Sequence, residues 1–515
     1  MYLTSAVFIF FLIAVFVLYF SAGNRGWQVL LLASAAFYAF SGVHYLLYLI
    51  TTISTVYISA RKIAALGEEL PTLLAGAGRL EKKDIKARIK ARQRKWVILC
   101  LSINLGILAV VKYSAFALSG INAIMSIETG TFLRFALPLG ISFYTFQSIG
   151  YLIDVYRGKP AERNPFRFAL FVSFFPQLIQ GPISRFGDLS ETLFMRHKFD
   201  AQVFSAGLRR ILWGLFKKLV IADRMLIAVL ALTADTDTYN GVFVLINMLF
   251  YAITLYSDFS GGIDITIGIA QAMGIRINEN FDRPFYSKNI AEFWRRWHIT
   301  MGTWFKDYLF YPLSVSISML KFSKYSREKL GNGIGRRLPV YVSTIIVWAA
   351  TGIWHGASWN FIVWGLANGI VIILSQECAP LYERFHRRFS IGQTRIYGAF
   401  QIFRTFWLMS FIRMFNVYRD VPLTFRMYGS IVTDFGGLPS QSLTGLGLTY
   451  ADYAIIGIGC GIMILVGVIL HREADWLDKR PIRNCIACSV LVMATLVFGI
   501  YGVGFDANQF IYNQF

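Results

Sequence analysis

Residues 82–118 read KKDIKARIKARQRKWVILCLSINLGILAVVKYSAFAL. Eight of the first fourteen residues are Lys or Arg, and the 23 that follow carry one charge, Lys112. A run of roughly 20 apolar residues is the length that crosses a bilayer as a helix. A basic cluster directly before such a run marks the cytoplasmic side. The wider loop, 61–95, holds eleven Lys/Arg against four Asp/Glu.

The rest of the chain repeats the pattern. Of 515 residues 56% are hydrophobic and 15% charged, whereas soluble domains carry about 25% charged residues. Apolar segments near 5–21, 27–42, 45–60, 96–118, 132–156, 205–233, 241–273, 339–356, 359–375, 397–416, 452–470 and 485–504 predict about 11–12 transmembrane helices. The shorter runs 165–181 and 307–320 suit re-entrant segments, and 61–95 reads as a basic amphipathic helix on the inner leaflet. The expected fold is an all-α, polytopic bundle in one domain, 1–515. Within it lie a basic cytoplasmic loop at 61–95, a core at 130–375 and C-terminal helices at 396–515.

Loop charges agree on one orientation. Segments 157–218, 276–338, 384–395 and 471–484 are basic and read as inside. Segments 119–130, 233–240 and 505–515 have no Lys or Arg and read as outside. The N-terminus is then outside. The first run, 5–21, lacks a basic stretch before it and is followed by Arg25, which favours a retained helix over a cleaved signal. In this setting the net charge of +21 belongs to membrane topology, and no nucleic-acid partner is expected. Cys485 and Cys488 form a lone CxxC opening an apolar run, which favours packing; no metal is expected.

Polar groups inside apolar runs are costly and mark function or pairing. Asp154 ends its segment and suits an interface. Asp258 and Asp264 lie in YSDFSGGIDITIGIA, 256–270. They either support a polar cavity or pair with Lys or Arg of another helix, while Gly261-Gly262 allows close approach or a helix break. In 290–305 the apolar residues recur at helical spacing, with Arg295, Arg296, His298 and Lys306 around them. That is either an interfacial helix with snorkelling arginines or a basic rim for an anionic thioester donor. His355 sits in GIWHGASWN, 352–360, between Trp354 and Trp359. It falls on the outer half of its helix or on a broken segment. Ser358 and Asn360 follow as groups able to orient an imidazole, which takes protons near neutral pH. No HExxH, GxSxG or P-loop pattern occurs.

EFWRRWHITMGTWFKDYLFYPL at 292–313 and GIWHGASWNFIVWG at 352–365 together resemble the membrane-bound O-acyltransferase family, in its bacterial alginate and cell-wall polysaccharide O-acetylation branch. FFPQLIQGPISRF, YSDFSGGIDITIGIA and NFDRPFYSKNIAEFWRRWH fit the same branch, and the likeness is strongest over 130–375. The resemblance implies that His355 is the catalytic histidine and that His298 occupies the second motif position. It further implies a cytoplasmic acyl thioester donor, such as acetyl-CoA, with no permanently bound cofactor. It implies an extracytoplasmic glycan hydroxyl or a secreted or membrane-anchored partner acetyltransferase as acceptor, in a bacterial inner membrane. Two departures matter. Asn368 stands where many relatives carry a second histidine, and 314–339 replaces a glycine-rich turn, which favours an acceptor other than alginate.

The expected function is therefore acyl transfer, acetyl first, with His355 and His298 catalytic and Arg295, Arg296, Asp258, Asn360 and Trp354 lining the substrate path. D-alanyl transfer to teichoic acid is the rival within the family. A glycan or acyl transporter with structural histidines is the rival outside it, although no inverted repeat is visible.

Overall fold

In the computed structural model the described residues are 3, 5–76, 78–125, 138–434, 443–472 and 480–501. Residues 126–130 of the loop expected outside, residues 473–479 of the basic stretch at 471–484 and the tail from 505 lie outside them. Every apolar segment named above carries a helix over its described part. Among the described residues seven helices are long and apolar enough to cross a membrane, and Ala6–Ser21 is a shorter apolar helix. The only β feature among the described residues is a bridge between Phe281 and Trp297. The chain groups into two compact units, Met1–Gly207 with Ile269–Asn278 and Leu208–Gly268 with Glu279–Phe515.

The first unit contains α1 (Ala6–Ser21), α2 (Gly26–Ala39), α3 (Leu46–Glu68), α4 (Arg79–Met125) and α5 (Ile141–Tyr156). At 47 residues, α4 is about 70 Å long at 1.5 Å per residue. That exceeds the roughly 30 Å hydrocarbon thickness. Because α4 is unbroken, its basic start continues along the axis of the apolar part. The 61–95 stretch, expected as one amphipathic helix, is instead divided among the end of α3, a short helix at Leu70–Leu74 and the start of α4. Neighbours hold the extension: Gln93 Nε2 donates to the Ile63 carbonyl at 2.9 Å. Lys90 donates to the Tyr156 carbonyl at 2.7 Å and sits 3.5 Å above that ring. The 165–181 run forms two short buried helices, α6 (Pro165–Ser173) and α7 (Phe175–Leu178), separated at Phe174.

In the second unit α8 (Ala201–Leu215) leads into a π-helix, Phe216–Ala222, and then α9 (Asp223–Ala234). Beside them runs α10 (Val242–Ala272), whose most apolar stretch is 67% buried. Gly261 serves close approach, and α10 does not break there: a Cβ on Gly214 would sit 2.4 Å from the Gly261 carbonyl. Two lysines of the π-helix neutralise the carboxylates of α10. Lys218 reaches Asp258 at 2.6 Å and Asp223 at 2.7 Å, and Lys217 reaches Asp264 at 2.5 Å. Arg210 joins Asp264 at 3.0 Å and Glu279 at 2.6 Å. Burying such charges is tolerable only when they are paired. Asp258 and Asp264 therefore follow the pairing alternative.

Further helices of this unit include α11 (Ile290–Arg296), α12 (Ile299–Phe305), α13 (Ile317–His355), α14 (Trp359–Glu377), α15 (Arg395–Tyr418), α16 (Val421–Thr433), α17 (Tyr450–Arg472) and α18 (Pro481–Phe498). α13 starts at Ile317, well before the expected 339, because Ser316 caps it and the basic 317–338 stretch is helical, broken only at Gly331. α13 and α14 pair as a hairpin, and glycines make the crossing close. A Cβ on Gly352 would meet the Phe361 carbonyl at 2.4 Å, and one on Gly365 the Trp348 carbonyl at 2.4 Å. Small residues at such crossings let backbones approach and gain dispersion contacts.

Gly365→Ala places a methyl against a rigid backbone carbonyl. Overpacking of this kind costs about 1–3 kcal/mol, so the purified variant is expected to melt several degrees lower in detergent. An unchanged melting curve would contradict the close crossing.

Candidate active site

The first corner of the site is built where the expected single helix over 290–305 breaks. α11 is capped by Asn289, whose side chain accepts from Glu292 N at 2.8 Å. It stops at Arg296, and α12 begins at Ile299. Between them the chain pairs with 280–282: Asp282 N donates to the Arg296 carbonyl at 2.9 Å, and Ile299 N to the Asn280 carbonyl at 3.0 Å. This long-range pairing overrides the helical periodicity of the sequence. It leaves His298 at φ 47, ψ 53, a left-handed conformation costing a non-glycine residue of order 1–3 kcal/mol.

His298 is fully buried. Its Nδ1 lies 3.2 Å from Asn280 Oδ1, which also accepts from Thr300 N at 3.1 Å and Thr300 Oγ1 at 2.9 Å. Phe259 of α10 packs edge-on at 4.9 Å, and Trp354 of α13 lies 6.2 Å away between ring centres. Burial pushes the His298 pKa down to about 3, since the charged form loses its hydration. The imidazole is neutral at physiological pH.

The second corner is the hairpin turn. His355 is the last residue of α13, Gly356 ends the helix, and Trp359 starts α14. The helix thus terminates at the histidine, and the glycines serve packing. A Cβ on Gly356 would collide with the Phe361 ring at 2.2 Å. His355 is partly exposed, unlike His298. Its ring lies 4.9 Å from Trp354, 4.7 Å from Trp364 at a steep angle, and 6.5 Å from Phe361 nearly parallel. Trp354, 5% exposed, therefore neighbours both histidines.

Other predicted residues take supporting places. Ser358 Oγ donates to Asn360 Oδ1 at 2.5 Å, and Asn360 Nδ2 donates to the Phe415 carbonyl at 3.2 Å, tying the turn to α15. Asn368 accepts from Trp294 Nε1 at 3.2 Å and donates to the Trp364 carbonyl at 2.8 Å, tying α14 to α11. Arg296 is engaged by Glu292 at 2.7 Å, whereas Arg295 is exposed. Asp258, adjoining Phe259, is held by Lys218.

Sequence reading passed over Arg413. This α15 side chain is 2% exposed, and its guanidinium lies 3.9 Å from the centre of the Trp297 ring and 5.0 Å from that of Phe293. An arginine facing aromatic rings gains a cation–π attraction. Its signal was present: a charge deep in FWLMSFIRMFNVY, 406–418, is the kind of residue the rule on intramembrane charges selects. The same rule selects Lys217-Lys218. Asn280 had no such signal, because an asparagine in a polar loop looks ordinary.

Comparison with known proteins identifies the family of the chain. Residues 161–327 match the membrane-bound O-acyltransferase family. The chain is 34% identical to a Pseudomonas syringae protein named "Probable alginate O-acetylase", over 92% of this chain and 84% of that one. It is 33% identical to a peptidoglycan O-acetyltransferase of Helicobacter pylori, over 69% of this chain and 66% of the relative. A teichoic acid D-alanyltransferase of Bacillus subtilis is 27% identical over 49% of this chain and 61% of its own length. Seven membrane-length apolar helices and these relatives together lead to one conclusion: the chain is a multi-pass membrane acyltransferase and belongs to the membrane-bound O-acyltransferase family.

Proposed function

We propose that the protein moves an acetyl group from a cytoplasmic acyl thioester, such as acetyl-CoA, to hydroxyls of an extracytoplasmic polysaccharide, directly or through a secreted or membrane-anchored partner. The observation that carries this reading is the convergence of the two histidine motifs on Trp354, 4.9 Å from His355 and 6.2 Å from His298. The relatives named for O-acetyl transfer match a larger share of the chain, at higher identity, than the D-alanyltransferases. That favours acetyl over D-alanyl. The basic segments flanking the apolar runs favour an inner-membrane protein with its N-terminus outside.

The two imidazoles differ in environment and so in task. His355, partly exposed at a hairpin turn, is the general base: it takes the proton of the incoming hydroxyl as that oxygen attacks the thioester carbonyl. The thiolate leaves with the donor and is protonated in the cytoplasm. His298, sealed from water and neutral, orients substrate by hydrogen bonding. Trp354 packs against both rings. Arg295, exposed beside this corner, meets the donor's anionic groups, while Arg296 is already engaged by Glu292. In this reading Asp258 and Asn360 hold helices together and act on substrate only through that framework.

His355→Ala is expected to fold normally and to lose glycan O-acetylation by about a hundredfold or more, the contribution of a positioned general base. Mass spectrometry of envelope glycans from cells carrying the variant measures this; undiminished acetylation sinks the assignment. Arg295→Ala is expected to raise the KM for the thioester donor about fivefold, close to 1 kcal/mol for an exposed charge contact. kcat should stay near that of the parent. An unchanged KM, or a loss confined to kcat, would remove Arg295 from the donor rim.

A further inference from the structure

We infer that Asn280 is a positioning residue that locks His298 in its Nδ1–H form, so that the buried ring offers Nε2 to substrate as a neutral hydrogen-bond acceptor. The inference rests on the proposed participation of His298 in acyl transfer, and it names the chemistry of that participation.

The hydrogen bonds fix the tautomer. The backbone N–H of Thr300 is only a donor, and it points at the Asn280 side-chain atom 3.1 Å away, so that atom is the amide oxygen. The same oxygen accepts from Thr300 Oγ1 at 2.9 Å and faces His298 Nδ1 at 3.2 Å. An amide oxygen has no proton to give, so Nδ1 must carry the hydrogen. In the neutral ring this leaves the lone pair on Nε2. The alternative tautomer would set two lone pairs against each other.

The backbone makes the arrangement rigid. Asn280 also receives Ile299 N through its carbonyl at 3.0 Å, so side chain and main chain of one residue hold the backbone that follows His298, while Asp282 N holds the Arg296 carbonyl before it at 2.9 Å. His298 is held left-handed there, and strain of this kind persists where surrounding structure over-determines it, commonly at functional positions. Phe259 covers one side of the ring, at 4.9 Å. The charged and titratable groups nearby are the Asp258–Lys218 pair on the α10 side, Arg413 against Trp297, and His355 beyond Trp354. Asp258 is already neutralised by its salt bridge, and burial alone disfavours the charged form of His298. The site therefore keeps His298 neutral, and the group it accepts from must be an O–H, N–H or S–H: the acceptor hydroxyl, or an amide or thiol of the donor.

The test uses the full-length protein in lipid nanodiscs, labelled with 15N-histidine, with the His298 signals assigned by their loss in His298→Gln. The expected result is Nδ1 protonated and Nε2 bare from about pH 5 to 8, the range in which an ordinary imidazole titrates. Asn280→Asp keeps an oxygen acceptor for Thr300 but adds a negative charge beside Nδ1. It should bring protonation of Nε2 into that range, with acyl-transfer rate falling about tenfold per pH unit below the new pKa. Asn280→Ala should mix the tautomers. A protonated Nε2 in the parent, or 15N signals in Asn280→Asp that match the parent, would overturn the lock. These signals do not depend on turnover. If they behave as expected while the Asn280→Asp pH–rate profile matches the parent, the lock stands and the meeting of Nε2 with substrate is overturned. Loss of the His355→Ala effect would instead overturn the functional reading itself.

Discussion

Where α13 crosses α14, the Gly352 and Gly365 positions leave no room for a Cβ, since each would fall 2.4 Å from a carbonyl oxygen of the other helix. Much of the site follows from that approach. It ends α13 at His355 and turns Trp364 toward the imidazole at 4.7 Å. It brings Trp348 within 4.8 Å of Trp294, which Asn368 holds by a hydrogen bond. Within a bilayer, lipid tails are as apolar as leucine, so hydrophobic sorting alone does not hold two helices together. Close packing and shared hydrogen bonds do. The hairpin carrying one histidine is thereby joined to the short helix that leads into the other.

The same solvent forces the treatment of charge. Lys217 and Lys218 are adjacent in sequence yet serve different carboxylates of α10, Asp264 and Asp258. They lie in a π-helical stretch, Phe216–Ala222, and wider π turns change side-chain direction relative to an α-helix. These pairs hold α10 in place, and Phe259 of α10 covers one side of His298. Against Trp297, Arg413 adds a charge that cannot be removed by deprotonation. His298 is neutral because its burial strips the charged form of hydration. His355 lies at the more open turn.

Much of the fold could be read from the chain because bilayer thickness and loop charge are strong, local constraints. The twelve apolar segments were visible through bilayer thickness, and the two histidine motifs as polar groups among apolar residues and through their resemblance to the family. The errors have different causes. The 290–305 stripe has helical periodicity, but residues 280–282 pair with its middle, and periodicity carries no information about a partner ten or more residues away. The basic stretch 317–338 looked like loop because its charges outweigh its apolar content, yet Ser316 caps a helix there. The partners of Asp258 and Asp264 were legible as Lys217-Lys218 in an apolar run, though which lysine meets which aspartate was not. Asn280 became meaningful only when three donors were found converging on one atom.

The central claim is that His298 and His355 belong to one reaction site. A double-mutant kinetic cycle tests it most directly: kcat/KM for acyl transfer in His298→Gln, His355→Ala and the double variant, each checked for folding by its melting curve. Groups that act as a unit in one site are strongly non-additive. A double variant no slower than the worse single variant is the predicted result. Losses that multiply would mean that the two histidines act independently, and would contradict a shared site.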